Sequence, residues 1–588
     1  MSETGAEGVR WDLTLLAPSK QAMKDRLETA VAAAKSFSDR WPVESITAIE
    51  PAALGALLRE LAELRAVRME CKQWVTLLAE TDAEDPAVRD LQAWVDGRLP
   101  QLDDALRHFE LAWVDIPDER AEQLVEDAGV VGDRHYLLSL RRFRPFLLSR
   151  PEERVLAARE TSARSAWQAL YLRTLGSLNA NFDDGGGERE WSLSELESAS
   201  RGHPNRDLRR RASKAVQLAL EPVLPVLAQC YDSLVADHLA VDGVRGHTDP
   251  MQRRNLENEI DPGAVERLLK ASEAHYELAR RWFRLKASLL GLDCADTIDF
   301  SAPALDVPVI RWEEGHRLAV GVFTSLTPTL GREANAFFAD RRIDAELRRG
   351  KRFGGMCVWP STRSPGFLYL NWSGSLLDLV MLTHELGHGT HFALAAQAQS
   401  DHSFLPGLTI AEVPSTFAHL RLVDGLLTDN SELARPVLAK TLDTAVMYVF
   451  VRVALTRYEQ DAYAMRARGE ALTPERLGDL CDAHLATVGG DAMTDRHGFR
   501  RTVWAPMPHF VHERFYLYAY AFAFLLAAGL IVRSRETGFA EHYERFLAAG
   551  GSASPDELLR IIGVDLNDSG IWDDGFSVIE SWLGRIEA

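Results

Sequence analysis

The spacing of apolar positions along the chain is that of helices. Residues 50–110, 118–180, 206–240 and 263–290 place apolar side chains three and four positions apart and are rich in Ala, Leu, Glu and Arg. This pattern predicts a mainly α fold.

The stretch D-D-G-G-G-E-R-E at 183–190 interrupts the helical pattern. Its three successive glycines predict a hairpin or a linker. Ser192 and Glu195 then form a capping box that opens the next helical run. We therefore expect an N-terminal helical domain, 1–185, followed by a second domain, 186–588.

A second change of pattern lies at 350–372, G-K-R-F-G-G-M-C-V-W-P-S-T-R-S-P-G-F-L-Y-L-N-W. Glycines and prolines separate short apolar and aromatic runs, and residues 367–372 read as a strand. This segment predicts a small antiparallel sheet immediately before the helical segment that follows.

The apolar segment 515–532, F-Y-L-Y-A-Y-A-F-A-F-L-L-A-A-G-L-I-V, is uncharged and about long enough to span a bilayer. Its tyrosines cluster in the first third, and His512 and Glu513 precede it. These features favour a buried core helix over a transmembrane helix.

Composition narrows the function classes. The 588 residues include 66 basic and 86 acidic side chains, a net charge of −20, which argues against nucleic acid or an anionic membrane as a partner. The five cysteines are scattered without a C-x-x-C pair, as in reduced proteins. The N-terminus has no basic region followed by an apolar core. We expect a cytoplasmic protein.

The stretch L-T-H-E-L-G-H-G-T-H-F-A-L-A at 382–395 carries candidate chemistry. Ser375 and Asp378 form a capping box, so a helix is expected from there through residue 395. On it His384 and His388 share one face and converge on one point. Glu385 lies beside that point, which suits a base that activates water at a metal.

Gly387 strengthens this interpretation over an ordinary histidine-rich helix. A glycine within a helix costs about 0.5–1 kcal/mol relative to alanine, so close backbone approach is a reason for it. A third ligand is still needed, and downstream Glu412 and Asp424 qualify, with Glu412 favoured by its apolar surroundings. His391 is expected beside the ligands rather than among them.

These residues resemble a known family. H-E-L-G-H-G-T-H matches the HExGHxxH form of the thimet oligopeptidase and oligoendopeptidase F family of zinc metallopeptidases, peptidase family M3, and Glu412 falls where that family has its glutamate ligand. W-D-L-T-L-L near the N-terminus, G-K-R-F-G-G-M-C at 350–357 and W-A-P-M-P-H-F-V-H-E-R-F-Y-L-Y-A-Y-A-F at 504–522 resemble the oligoendopeptidase F branch. A-Y-A-F-A departs from the branch's Q-Y-A-T-G and leaves the functional tyrosines open.

The resemblance implies a gluzincin, a zincin-type helical body of two subdomains around a deep channel. It implies one Zn²⁺ per chain held by His384, His388 and Glu412, with Glu385 as the base. Short peptides are the expected substrates of a monomer or homodimer. The expected transition-state donors are His509, Tyr516 and Tyr520, the two tyrosines sharing a face if 513–530 is helical.

Other residues are expected at the substrate. The strand that ends at Leu370–Asn371–Trp372 suits binding of a peptide backbone by β-addition, and Gly354 and Gly355 allow a loop to approach substrate or to move. Tyr518 is a further candidate. The competing interpretations are a general thermolysin-like protease and a helical peptide-binding or scaffold protein with a non-catalytic zinc site.

Overall fold

Helices account for most of the chain. The computed structural model describes residues 4–82, 84–127, 129–306, 308–352 and 354–588. Within them the α-helices are α1 (Lys20–Arg40), α2 (Val43–Thr47), α3 (Pro51–Thr81), α4 (Pro86–Asp96), α5 (Leu99–Asp115), α6 (Asp118–Val125), α7 (Arg134–Arg141), α8 (Arg150–Glu160), α9 (Arg164–Gly176), α10 (Leu193–Gly202), α11 (Arg206–Leu220), α12 (Leu224–Arg245), α13 (Gln252–Asn258), α14 (Pro262–Ala274), α15 (Tyr276–Leu289), α16 (Trp312–Leu326), α17 (Pro328–Ala339), α18 (Leu376–Ala398), α19 (Leu408–Thr428), α20 (Ala434–Ala445), α21 (Arg452–Ala467), α22 (Pro474–Gly489), α23 (Pro508–His512), α24 (Tyr518–Arg533), α25 (Phe539–Ala549), α26 (Pro555–Ile561) and α27 (Gly570–Glu587).

The strands are short and few. They are β1 (Asn179–Asp183), β2 (Glu188–Ser192), β3 (Ala295–Asp296), β4 (Ile343–Asp344), β5 (Met356–Val358), β6 (Phe367–Tyr369) and β7 (Met493–Thr494). Single 3₁₀ turns lie at Leu13–Leu15, Val131–Asp133, Arg144–Phe146, Glu221–Val223, Thr297–Asp299 and Phe499–Thr502, and a π-helical turn, Val446–Val451, joins α20 to α21. The prediction of a mainly α fold is confirmed.

Packing divides the chain into two compact units, each assembled from separated stretches. Unit 1 contains Met1–Arg144, Val307–Ser431 and Leu530–Leu566, and unit 2 contains Pro145–Asp306, Glu432–Gly529 and Asn567–Ala588. The domain boundary expected after residue 185 stays a prediction, and so does the deep channel that the family resemblance implies.

Unit 1 has a core built from its N-terminal helices. Apolar side chains between Trp11 and Leu137 are buried together, and the cluster includes Phe367 and Tyr369 of β6. The Trp11 ring packs against both of these aromatic rings, with centroids 6.2 and 5.9 Å away. The W-D-L-T-L-L stretch thus closes the core on the sheet.

The three-stranded sheet of unit 1 has the order β4-β6-β5. Strands β5 and β6 pair antiparallel, as expected, but β4 pairs parallel to β6, so the sheet is mixed. The predicted small antiparallel sheet is confirmed for β5 and β6, and the prediction is corrected only by β4, which pairs in parallel because the chain leaves it by a loop before it turns back through β5. Strand β6 is therefore central, with a neighbour on each side.

Unit 2 contains the predicted glycine hairpin. Strands β1 and β2 pair antiparallel from Asn179↔Ser192 to Asp183↔Glu188. The Asp183 carboxylate accepts the backbone N–H groups of Gly185 and Gly187 and so closes the turn. The capping box of Ser192 and Glu195 is also confirmed at the start of α10.

The apolar segment is a core helix, as expected. Helix α24 spans Tyr518–Arg533, and residues 521–531 are all buried. By length and composition one helical stretch of the described chain, Arg206–Arg245, could cross a membrane, although helices of soluble proteins also meet that test, and α24 is too short to meet it.

Candidate active site

Helix α18 carries the two histidines. The Ser375 hydroxyl accepts the Asp378 N–H and the Asp378 carboxylate accepts the Ser375 N–H, so the predicted capping box begins the helix. One turn apart, the rings of His384 and His388 lie with centroids 5.0 Å apart. The helix extends three residues beyond the predicted end, to Ala398.

Helix α19 brings the third group to the same point. The Glu412 Oε2 lies 3.5 Å from His384 Nε2 and 3.7 Å from His388 Nε2, and the three ligand atoms lie within 4.8 Å of one another. A tetrahedral zinc with bonds of about 2.0–2.1 Å places its ligand atoms about 3.4 Å apart. The donor set therefore fits a divalent metal, with Glu412 rather than Asp424 completing it.

Asp424 is occupied elsewhere. Its carboxylate accepts hydrogen bonds from Arg421 at 2.8 Å and from Arg535 at 3.0 Å. Glu412, in contrast, keeps 36% of its side chain exposed and His384 keeps 23%. A metal held here has room for a further ligand, as in catalytic rather than closed structural sites.

Gly387 sets the distance between the two helices. A Cβ at this position would lie 2.5 Å from Ser415 Cα and 2.8 Å from the Pro414 carbonyl oxygen, both backbone atoms of α19. The sequence-based expectation of close backbone approach is confirmed. Because Ser415 follows Glu412 by three positions, this contact also fixes how near Glu412 stands to the histidines.

The protonation states of His388 and Glu412 suit coordination. Burial, then the charge of His384, lowers the pKa of His388 to about 4. Burial would raise the pKa of Glu412, but its hydrogen bond with His384 and the charges of both histidines bring that pKa to about 2. A neutral His388 imidazole and an ionised Glu412 carboxylate are the forms that bind metals.

Glu385 is buried beside the histidines, with 5% of its surface exposed. Burial raises its pKa to about 7, partly offset by His384 and by a hydrogen bond from the Cys357 backbone N–H. A carboxyl whose pKa lies near neutral pH can both accept and return a proton at that pH. The Cys357 contact, from strand β5, was not predicted because it joins residues distant in sequence.

Two further side chains lie beside the candidate ligands and were not predicted from the sequence. The Ser415 hydroxyl lies 3.4 Å from Glu412 Oε2, and the buried His419 ring lies 5.8 Å from the His384 ring, centroid to centroid. Both follow Glu412 by helical spacing, three and seven positions on, and that periodicity was the available signal.

His391 is separate from the metal ligands. It is fully buried, its ring stacks on Phe392 and Phe546, and neither ring nitrogen has a hydrogen-bond partner in the described structure. Burial lowers its pKa to about 3, so it is neutral. The helix turns this ring into the apolar core, where it makes no hydrogen bond to the candidate ligands.

The expected β-addition to strand β6 is wrong, because β6 is paired on both sides. The Asn371 side chain instead donates to the carbonyl oxygens of Arg352, at 2.8 Å, and Gly354, at 3.4 Å. Its amide is committed to the loop before β5. Strand β5 is an edge strand of this sheet.

The two glycines of that loop are required for different reasons. Gly354 has φ +125°, a conformation that side chains rarely adopt. A Cβ on Gly355 would lie 2.8 Å from Met381 Cγ, on the histidine helix. Substrate contact by either stays a prediction, and Phe353 of the same motif lies outside the described residues.

Unit 2 gathers the second predicted group. His509 Nε2 lies 3.0 Å from the Tyr520 hydroxyl, and the Tyr516 ring lies 5.5 Å from the Tyr520 ring and 6.0 Å from His509, centroid to centroid. Burial, then the charge of Arg452, lowers the pKa of His509 to about 4. The three side chains do lie together.

The reason for this grouping differs from the predicted one. Helix α24 begins at Tyr518, and Phe515 before it has φ +54°, which is rare for an aromatic residue. The carboxyl of buried Glu459 accepts the Phe515 N–H at 2.9 Å, and Arg514 forms a buried two-bond ion pair with Asp242. A strained turn, rather than one helix face, therefore places Tyr516 beside Tyr520.

Tyr518 is a structural residue. It is fully buried, its hydroxyl donates to Asn255 Oδ1 at 2.9 Å, and it accepts from Asn258 Nδ2 at 2.8 Å. The expectation that it contacts substrate is not supported, because the first turn of α24 directs it into the core.

The site has two histidines one turn apart, a glutamate from the next helix and a buried glutamate beside them, which is the arrangement found in gluzincin metallopeptidases. Comparison with known proteins agrees. The model of peptidase family M3 matches residues 327–578, and that of oligopeptidase F matches residues 113–179. The chain belongs to peptidase family M3, in its oligoendopeptidase F-like branch.

Relatives are distant in sequence. An oligoendopeptidase F homolog of Lactococcus lactis is 27% identical over 388 residues, an alignment that spans 65% of this chain and 64% of the relative. The group B oligopeptidase PepB of Streptococcus agalactiae is 23% identical over an alignment that covers 99% of this chain and 97% of the relative.

Solved structures share the fold. A crystal structure of a candidate peptidase from Chlamydophila abortus superposes with a TM-score of 0.85 at 20% identity and covers 100% of this chain and 98% of its own. Oligoendopeptidase F of Enterococcus faecium gives 0.69 at 18% identity, with 97% of each chain covered. At these identities the likeness concerns the fold.

Proposed function

We propose that this protein is a zinc-dependent endopeptidase that hydrolyses short peptides. The observation that carries the proposal is the buried Glu385 carboxyl beside a partly exposed trio of metal ligands. A site that holds a metal only for structure has no use for such a base and closes its coordination with a fourth protein ligand.

In this proposal His384, His388 and Glu412 hold one Zn²⁺. When bound, Zn²⁺ supplies a Lewis acid that polarises the scissile carbonyl and activates water. Glu385 accepts the proton of the attacking water at its carboxylate and returns it to the leaving amine. The Cys357 N–H keeps that carboxylate oriented.

His509, Tyr516 and Tyr520 are the proposed donors to the oxyanion that develops on the carbonyl oxygen. Their hydrogen bond and ring contacts hold them as one group, and donors fixed before the reaction are worth more than donors that must reorganise. Removing one donor of this kind typically costs about 100- to 1,000-fold in kcat.

The peptide backbone is proposed to pair with the edge strand β5. Its Cys357 N–H already points to the Glu385 carboxylate, so the edge of β5 adjoins the catalytic groups. Main-chain pairing selects extended peptides with little regard to sequence. The oligopeptidases among the relatives support short substrates, and the net charge of −20 supports a protein without nucleic-acid or anionic-membrane partners. The five scattered cysteines support a reducing compartment such as the cytoplasm. A monomer or a homodimer stays the expectation.

The test is zinc content combined with hydrolysis of internally quenched peptides of graded length and of casein. We expect about one zinc per chain, cleavage of short peptides and no cleavage of casein. Glu385→Gln should retain zinc and lose about 100- to 10,000-fold in kcat, the range for a general base.

Matched carboxylate variants on α19 check the ligand set. Glu412→Gln should lose zinc, whereas Asp424→Asn should keep it, since Asp424 pairs with arginines. A zinc-loaded chain that cleaves no peptide would favour a binding or scaffold role. Digestion of casein would favour a general protease.

A further inference from the structure

Arg452 is a mostly buried cation that has no anionic partner among the described residues. It is the first residue of α21, and its only hydrogen bond within the described structure is from Nη1 to the Met507 sulfur at 3.2 Å. Sulfur is a weak acceptor. The Arg452 Nε is buried and has no partner there either. A guanidinium in this state has lost hydration without gaining a counter-charge, which is costly.

Other buried or half-buried arginines of unit 2 are paired. Arg514 binds Asp242 through two hydrogen bonds, and Arg457, also on α21, binds Glu266 and Glu273. Arg466, two turns further along α21, pairs with Asp232 at 3.0 Å. The fold thus supplies carboxylates where arginines serve its stability, and the unpaired Arg452 is an exception among them.

Arg452 lies within the proposed donor group. Its guanidinium carbon is 5.2 Å from the centroid of the Tyr520 ring, and the Tyr448 ring is 5.1 Å from that of Tyr520. The π-helical turn Val446–Val451 directly precedes Arg452 and contains Tyr448. Such turns widen a helix and recur at functional sites.

His509 adds a second unsatisfied atom. Its Nε2 contacts the Tyr520 hydroxyl, while its Nδ1 is buried and has no partner in the described structure. A guanidinium that lacks a carboxylate partner among the described residues, with its planar set of N–H donors, matches an anion that accepts several hydrogen bonds.

We propose that Arg452 binds the C-terminal carboxylate of the peptide substrate. This inference rests on the proposed function, which supplies a ligand that always carries one such carboxylate. The guanidinium binds the carboxylate, and the aromatic rings of Tyr448 and Tyr520 contact the last residue. An anchor of this kind selects peptides whose C-terminus is free.

The primary test compares peptides that differ only at the C-terminus. The zinc-loaded Glu385→Gln chain is titrated with an acetylated hexapeptide, Ac-Ala-Ala-Phe-Leu-Ala-Phe, as the free acid and as the amide. The acid should bind about 10- to 100-fold more tightly, the range for a hydrogen-bonded charge. In the active chain the same ratio should appear in kcat/KM.

Substitutions assign the preference to Arg452. Arg452→Met in the same background should bind acid and amide equally, with the amide affinity unchanged, and Arg452→Lys should restore part of the preference. Arg466→Met on the same helix is the matched control and should keep it. Circular dichroism should give Arg452→Met a midpoint of thermal unfolding at or above that of the parent, because an unpaired buried charge is removed.

Several outcomes would overturn the proposal. Equal binding of acid and amide by the parent would do so, as would a preference that survives in Arg452→Met. If an amidated peptide with an internal Glu regained the lost affinity, the carboxylate would come from a side chain. If Arg452→Met in the otherwise active chain lowered kcat equally for the acid and the amide, Arg452 would act at the reacting carbonyl instead. Cleavage of both peptides at equal kcat/KM leaves the proposed function standing, whereas absence of cleavage by the zinc-loaded chain contradicts that function while the binding comparison still stands.

Discussion

The packing of α18 on α19 gives a quantitative prediction at Gly387. In Gly387→Ala the new Cβ would meet Ser415 Cα at 2.5 Å, the Pro414 oxygen at 2.8 Å and the Ser415 nitrogen at 3.0 Å. Ordinary contact begins near 3.4 Å. These are backbone atoms, so no side chain can rotate away, and the helices must separate by about 0.9 Å at this point.

That separation moves Glu412 away from His384 and His388. We expect zinc affinity to fall about 10- to 100-fold, the range found when the supports of metal ligands are disturbed. Overpacking costs about 1–3 kcal/mol and alanine returns about 0.5–1 kcal/mol of helix propensity. The free energy of unfolding of the metal-free chain should therefore fall by roughly 1–2 kcal/mol.

The assay is competition for zinc with a chromophoric chelator, together with urea unfolding of the metal-free chain. Gly425→Ala, on α19 itself, is the matched control, since a Cβ there has no atom within 4 Å. It should stabilise by about 0.5–1 kcal/mol and leave zinc affinity unchanged. The reasoning is refuted if Gly387→Ala behaves like Gly425→Ala in both measurements.

Three further predictions concern buried polar groups. Burial raises the pKa of Glu459 from 4.5 to about 8, so between these pH values the folded chain binds one more proton than the unfolded chain and stability falls as pH rises. Glu459→Gln should therefore add roughly 1–3 kcal/mol to the free energy of urea unfolding at pH 8.5 and little at pH 5. An equal change at both pH values would contradict this explanation. His391→Leu should stabilise by about 1 kcal/mol because two unpartnered ring nitrogens are removed, and a fall in zinc affinity would instead give His391 a role at the metal. Tyr518→Phe should lower the free energy of unfolding by about 1–2 kcal/mol, because the side-chain amides of Asn255 and Asn258 lose their hydrogen-bond partner. Its kcat/KM should be unchanged. A loss of activity at unchanged stability would instead indicate that Tyr518 contacts substrate.

Local patterns in the sequence were enough to predict much of the candidate site. The i, i+4 spacing of His384 and His388 follows from helix geometry alone, and the Ser375–Asp378 capping box marked the helix start correctly. Gly387 indicated close packing before its partner was known. Each of these depends on residues within a few positions of one another.

Contacts between residues that are distant in sequence could not be predicted from local patterns. The Tyr518 side chain was expected at substrate, yet its hydroxyl lies between two amides some 260 positions earlier in the chain. The turn at Phe515 breaks the helix expected over 513–530, because the distant Glu459 accepts its N–H in a strained conformation. No periodicity reports a hydrogen bond of this kind.

The amino-acid sequence by itself determined the helical class, the hairpin at 183–190, the metal-ligand helix and the family resemblance, since all of these are encoded by spacing and short motifs. Only the tertiary structure decided between Glu412 and Asp424, made β6 a central strand and turned His391 into the core. It also left Arg452 without a carboxylate among the described residues. Those outcomes depend on which surfaces of distant segments meet, and that is set by packing and burial rather than by order along the chain.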